Sequence, residues 1–251
     1  MLLALLLLSQ AARVRSVDSV PGALYKLLRQ LTPVEKGCKA SAGTKISSSA
    51  PHFFADPAFC ETALPKMRQC VVYSFGVGRT GWDLDKALAS DGRCRVRSFD
   101  PACCGGSHAI GPAHEFVPLV LAPSDGLVVG TPATGNVTSA GLTLKSLMAG
   151  FGDGKLDVLR LSVSSRSEWK ALRGLVDTPG VLKAVPQLLL SIHFSEPSRY
   201  DDYVEVLQAL KALGFLPFYV ARQPSAQYLQ IQVGESQLWS SYEVGLGNSR
   251  L

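Results

Sequence analysis

From Cys70 onward, apolar β-rich runs alternate with amphipathic stretches of helical period, and this alternation limits the fold more than any other feature of the chain. "CVVYSF" (70–75), "CRVRSF" (94–99), "EFVPLVL" (115–121), "LDVLRLSV" (156–163) and "VPQLLLSIHF" (185–194) read as strands. Between them "WDLDKALAS" (82–90), "LTLKSLMAGF" (142–151), "SEWKALRGLV" (167–176) and "RYDDYVEVLQALKALG" (199–214) read as helices. On the last of these Tyr203, Val206, Leu207, Leu210 and Leu213 form one apolar face, and Gly214 stands at the C-cap. "FLPFYVAR" (215–222) and "LWSSYEVGLG" (238–247) supply two final strands. Strands alternating with helices build an α/β fold around a mostly parallel sheet. The nearly continuous apolar run at 185–194 is of the kind buried on both faces.

The residues before this region have a different character. "MLLALLLL" is almost wholly apolar but falls well short of the roughly 20 residues that span a bilayer. With the small residues Ser9 and Ala11 behind it, it reads as a signal peptide over residues 1–11. Six cysteines, an even number, and the N-glycosylation sequon "NVT" at Asn136 to Thr138 agree with a protein of the secretory pathway. Residues 12–66 form an N-terminal extension with one short amphipathic helix in "VPGALYKLLRQL" and a linker in "KASAGTKISSSAP". Residues 67–251 then make one domain, with ample length for a sizeable core. No cysteine spacing reads as a zinc site, and no metal is expected. A structural disulfide between two of Cys38, Cys60, Cys70 and Cys94 is expected instead.

The formal charge of +5 is modest, and the basic residues are scattered, which gives no strong support to nucleic-acid binding. Arg93, Arg95 and Arg97 share one face of a strand, either as a phosphate-binding stripe or as a solvated one.

In parallel sheets, ligands bind beyond the carboxyl ends of the strands. Gly76 and Gly78 in "YSFGVGRTGW" fall at the end of the first strong strand. Glycine there admits a ligand close to the backbone N–H groups, although a plain strand-to-helix turn uses the same residues. Asp100 ends the next strand and can accept hydrogen bonds from a ribose. Asp125 follows the third strand and can accept from an adenine amino group. Each aspartate also suits a turn, in "SFDP" and "SDG". Turn residues of these types at the ends of three successive strands together point to a cleft for an adenosyl group or a dinucleotide. The missing third glycine argues against a nicotinamide-dependent oxidoreductase, and the missing "GxSxG" elbow against a hydrolase.

The ordered blocks "CVVYSFGVG", "SFDP", "FVPLVLAPSDG", "LDVLRL", "SEWKAL", "LLLSIHF", "VLQALKALGF" and "YEVGLGN" span about Cys70 to Asn248. In that order they resemble the methyltransferase-like 24 family, a group of class I S-adenosylmethionine-dependent methyltransferase domains. The resemblance implies a Rossmann-like class I methyltransferase sandwich: a mostly parallel, seven-stranded sheet with an antiparallel last strand. It implies S-adenosyl-L-methionine as cofactor, with Ser74, Phe75, Gly76 and Gly78 at its methionine part, Asp100 at its ribose and Asp125 at its adenine. It also implies methyl transfer to an acceptor that the sequence does not identify, and suits a signal or anchor at the N-terminus.

Two departures bear on the chemistry. Where the family carries an acidic "DIEGSEW"-like block, this chain reads "LSVSSRSEW", with Ser162, Ser164 and Ser165 in place of the acids and glycine. Where an acid precedes "IH", Ser191 stands. A neutral serine is a far poorer base than a carboxylate. Two expectations follow: a methyltransferase acting on an oxygen or nitrogen nucleophile, or a catalytically impaired member that keeps the fold as a binding module. His193, at a strand's carboxyl end, is the candidate catalytic base, with a packed strand-end histidine as its other role. Glu168 faces the cleft or serves the first turn of its helix.

Overall fold

The computed structural model describes residues 40–42, 58–60, 70–78, 82–90, 92, 94–129, 138–223, 228–233 and 236–251. The signal-peptide and short-helix expectations, the Asn136 side of the sequon and Arg93 lie outside the described residues. The strands are β1 (Ala40–Ala42), β2 (Ala58–Cys60), β3 (Cys70–Phe75), β4 (Cys94–Phe99), β5 (His108–Gly111), β6 (His114–Val117), β7 (Val120–Leu121) and β8 (Gly126–Val129). They continue as β9 (Thr138–Leu142), β10 (Val158–Val163), β11 (Gln187–His193), β12 (Phe215–Arg222), β13 (Tyr228–Val233), β14 (Ser236–Trp239) and β15 (Ser241–Asn248). The described helices are α1 (Asp83–Ser90), α2 (Leu144–Phe151), α3 (Arg166–Asp177) and α4 (Tyr200–Ala212).

The main sheet runs β12-β15-β11-β10-β3-β4-β6-β5. From β11 to β6 every pairing is parallel. β15 lies antiparallel between β11 and β12, and β5 is antiparallel to β6 at the far edge. Without β5 this is the class I methyltransferase arrangement, a Rossmann-like sheet with an antiparallel last strand inserted next to the edge. The sheet therefore has eight strands where seven were expected, β5 being the addition. "EFVPLVL" also divides. Pro118 has no N–H for a ladder, so the main-sheet strand β6 stops at Val117, and Leu119 N–H turns back to the Val117 carbonyl at 2.9 Å. β7 beyond it joins a separate three-stranded sheet, β7-β9-β8.

Strand alternation sorts the core into two layers. Leu159, Leu161, Leu188, Leu190 and Ile192 pack with residues of α2, α3 and α4, where Trp169 stacks on Tyr203 with ring centroids 4.3 Å apart. On the other face Leu84 and Leu88 of α1 cover Val72, Val96, Val158 and Leu189. α3 starts with a capping box: Ser165 Oγ accepts from the Glu168 N–H, and the Glu168 carboxylate accepts from the Ser165 N–H.

Cys70 and Cys94 face each other in the β3–β4 register and form a disulfide, so the expected bridge falls between two of the four earlier cysteines. Cys60 is disulfide-bonded as well, and adjacent Cys103 and Cys104 are bonded to each other. The arginine stripe is resolved as structural for its two described members. Arg95 and Arg97 both donate to Asp153, whose carboxylate is fully buried and also accepts from the Tyr73 hydroxyl at 2.6 Å. Arg97 reaches Glu115 too, and its guanidinium lies 4.3 Å from the Phe151 ring centroid.

On the α1 face the carboxyl half of the sheet is polar. Arg160 of β10 contacts Asp85 and Ser74, and the Ser98 hydroxyl donates to Asp85 and meets His114 Nε2 at 2.7 Å. With the Ser98 O–H donated to Asp85, the His114 N–H sits on Nε2, and Nδ1 is buried without a partner among the described residues. Burial holds the His114 imidazole below its ordinary range, against the opposing pull of Asp85. Below a pH of about 6.5 the unfolded chain binds a proton there that the folded one resists, so stability falls as pH drops through that window. Burial raises the Glu243 carboxyl, and this works in the opposite sense, adding stability as pH falls through its raised folded value. The thermal midpoint of the wild type is therefore expected to fall further between pH 7.5 and 5.5 than that of His114→Gln. Equal falls would remove His114 from the account.

Candidate functional site

β3 is the switch point of the sheet: the chain passes from it to β4 on one side and later to β10 on the other. A cleft opens at the carboxyl ends of these three strands, enclosing about 810 Å³ of empty space that is partly open to solvent. That space includes open solvent at the mouth, and the cavity itself is about 110 Å³.

Phe75 and Phe99, the last residues of β3 and β4, stack in parallel at 4.4 Å and line the cleft. The chain then turns at Gly76, whose φ of 73° is in the left-handed region. Glycine is needed for space as well, because a Cβ there would stand 2.8 Å from the Ser162 Cβ. Gly76 N–H donates to the Phe99 carbonyl at 2.9 Å, tying the two strand ends together. Asp100 completes the clasp. Its Oδ2 accepts from Gly78 N–H at 2.9 Å, and its Oδ1 from Ala102 N–H at 2.8 Å. Each oxygen retains a lone pair for a ligand hydroxyl. Trp82, at the start of α1, donates its indole N–H to the Gly78 carbonyl at 2.9 Å and fixes the loop from below.

The opposite wall comprises Ser162, Ser165, Ser167 and Glu168, and the β8–β9 hairpin contributes Val128 and Ser139. Glu168 thus fills both roles considered for it. Its Oε2 accepts from the N–H groups of Ser164 and Ser165 and from the Ser164 hydroxyl, while Oε1 makes no hydrogen bond among the described residues. The capping box in "SRSE" was the readable signal for this carboxylate. Among the described residues no Lys, Arg or His lines the cleft.

Of the residues singled out from sequence, Phe75, Gly76 and Asp100 meet in the cleft, and Gly78 is held by Asp100. Ser74 turns to the other face of the sheet, where it is fully buried and accepts from Arg160 Nη1 at 3.2 Å. Asp125 is exposed and engaged at the head of α2. It accepts from Thr143 N–H at 2.7 Å and from the Ser146 hydroxyl at 2.6 Å, the latter contributing most to holding its carboxyl below the usual range. It caps a turn and does not line the cleft. His193 ends β11 and also lies outside the cleft lining; its carbonyl accepts from the Trp169 indole at 3.2 Å. Burial lowers the His193 imidazole, and the Glu168 carboxylate pulls it back upward. Ser191 is buried and donates to Glu243 directly opposite it on β15; the same Glu243 oxygen accepts from Gln223 Nε2 at 2.7 Å. The acid absent from β11 thus has a counterpart on the neighbouring strand.

Among the described residues no group of His, Cys, Asp or Glu is placed to hold a metal ion, and no helix is long and apolar enough to cross a membrane.

No protein-family model matches the chain, and no curated protein matches it. Solved structures similar to it include an rRNA methylase from Streptococcus thermophilus, 13% identical over 74% of this chain and 90% of that one, with a TM-score of 0.34. A precorrin-6y C5,15-methyltransferase from Geobacter metallireducens GS-15 is 10% identical over 74% and 83%, at 0.33. A SAM-dependent methyltransferase from Aquifex aeolicus is 12% identical over 74% and 85%, at 0.30. The strand order of the main sheet defines the fold.

Proposed function

We propose that the cleft binds S-adenosyl-L-methionine and that the chain is a methyltransferase of the methyltransferase-like 24 kind, acting on a hydroxyl or amine acceptor. The observation that carries this reading is the Asp100 clasp. A carboxylate at the end of the second core strand secures the Gly78 loop while keeping lone pairs for a ribose, beside an aromatic floor at the switch point. The cradle fits the group: Gly76 lets the turn pack directly on Ser162 of β10, and the described lining carries the Asp100 and Glu168 carboxylates, which suit a hydroxyl-bearing, positively charged ligand. When bound, the cofactor supplies an electrophilic methyl group.

The chain's own residues then divide the work. Asp100 holds the ribose, and the backbone from Gly76 to Gly78 approaches the methionine part. Glu168 stands on the opposite wall with Oε1 unoccupied, where it orients an acceptor or takes its proton. His193, kept neutral by burial, is the second proton acceptor near that edge. A second reading, a cofactor-binding module without transfer, is favoured by Ser162, which lines the cleft where the resembling family carries an acid. The buried Cys70–Cys94 bridge and the bonded Cys60 support residence in the secretory pathway.

Hydrogen-exchange mass spectrometry with and without S-adenosylmethionine tests the placement. Protection is expected in residues 75–78 and 100–102 and not in 187–193. Protection confined to the hollow at the amino ends of β3 and β4, beside Arg95 and Lys155, would contradict it.

A further inference from the structure

The Cys103–Cys104 disulfide sits at the rim of the cleft, and none of the roles above uses it. Pro101 and Ala102, just before it, line the cleft, and Ala102 supplies one of the two N–H groups on Asp100. Cys103 is buried among Val77, Trp82 and Phe116, and its sulfur lies 3.1 Å from the Gly78 carbonyl oxygen that also receives the Trp82 indole. Cys104 is exposed. Its φ of 70° makes it the one non-glycine residue with a positive φ among the described residues. A side-chain-bearing residue resists that conformation unless its surroundings impose it. The pair thus joins an exposed residue, Cys104, to a buried one that supports the loop Asp100 clasps.

We propose that Cys103–Cys104 is a thiol-exchange site whose redox state sets how tightly the cleft holds its adenosyl ligand, an inference that rests on the cofactor reading above. The co-reactant is a thiol or dithiol reductant. Its thiolate attacks Sγ of the exposed residue Cys104, the Cys103–Cys104 bond breaks, and the electron pair leaves on Cys103 Sγ, which takes up a proton. A second thiol then attacks the reductant sulfur of the mixed disulfide and releases Cys104 as a thiol. Two reductant thiols are oxidised to one disulfide, and the protein disulfide gains two electrons and two protons. Cys70 and Cys94 are each 1% exposed and closed to the same attack.

In the bonded form, residues 103 and 104 hold a turn that keeps Ala102 on Asp100 and Cys103 against Gly78. After reduction Cys104 is free to leave the left-handed region, and the 101–104 segment loses its fixed geometry. The dissociation constant for S-adenosylmethionine is expected to rise about three- to tenfold, the effect of loosening one hydrogen-bonded contact in the clasp.

The test uses the full chain, titrated calorimetrically with S-adenosylmethionine before and after mild reduction, alongside a Cys103→Ser/Cys104→Ser double variant. Alkylation and peptide mapping assign the reduced thiols, and Trp82 emission, compared with Trp82→Phe, reports the loop without any cofactor. Labelling of Cys103 and Cys104 ahead of Cys70 and Cys94, weaker binding after reduction, and a double variant that matches the reduced protein and ignores reductant would bear the proposal out. Equal affinity in all three forms would overturn it, as would cysteines 103 and 104 that stay unlabelled. If no form binds the cofactor, the cleft reading fails. The exchange site is then judged by the labelling and by Trp82 emission, and an emission unchanged on reduction would sink it separately.

Discussion

Asp153→Ala is expected to destabilise the protein by about 3–5 kcal/mol, the range for removing one partner of a buried ion pair. The Asp153 carboxylate has no solvent exposure and accepts from Arg95, Arg97 and the Tyr73 hydroxyl. Alanine leaves the Arg97 guanidinium, 7% exposed, with Glu115 as its remaining carboxylate partner, itself 42% exposed. It also strands the Tyr73 hydroxyl in the core, where burial and the nearby Asp153 charge already disfavour ionisation. Arg95 is half-exposed and recovers its hydration, so its share of the loss is small. Asp153→Asn keeps the shape and an acceptor and should cost less. Urea denaturation measures both, the expected signature being a lower midpoint with an unchanged slope. A loss below about 1 kcal/mol for the alanine variant would mean that the cluster behaves like an exposed pair.

The same cluster shows what a linear reading reaches. That Arg95 and Arg97 share a strand face follows from the two-residue period, but their common partner lies more than fifty residues away, beyond α2. Only the packed fold brings Asp153 beneath β4. The long strands and helices were legible because each is one apolar run or one amphipathic stripe. β5, β8 and β9 were not, since "HAIG", "GLVV" and "TSAGL" are short and largely exposed, without alternation to betray them. The Cys70–Cys94 bridge depends on the register between β3 and β4, which spacing does not reveal.

Within the site, Gly76 and Asp100 were readable because chain turns at strand ends need particular residues, and those turns form the cleft. Ser74 and Phe75 are adjacent on one strand, so they must face opposite sides, and only Phe75 reaches the cleft. Asp125 satisfies the position expected of an adenine contact but spends both oxygens on the α2 cap. Ser191 was legible as a missing acid, whereas Glu243 across from it required the antiparallel pairing of β15 to be seen.

Asp100→Ala carries the largest expected effect on binding. It removes the proposed ribose acceptor and at the same time releases the N–H groups of Gly78 and Ala102, so the loop that frames the contact is lost as well. Hydrogen bonds to a charged group are worth about 1.5–3 kcal/mol, which corresponds to a fall in affinity of roughly ten- to a hundredfold. Asp100→Asn retains one acceptor oxygen and should lie between the variant and the wild type, and circular dichroism checks that all three are folded. The central claim meets its most direct test in a calorimetric titration of S-adenosylmethionine into the wild type and Asp100→Ala. Saturable binding to the wild type that drops at least tenfold in the variant is the predicted result. A wild type that takes up no S-adenosylmethionine, or an alanine variant that binds it equally well, would contradict the account.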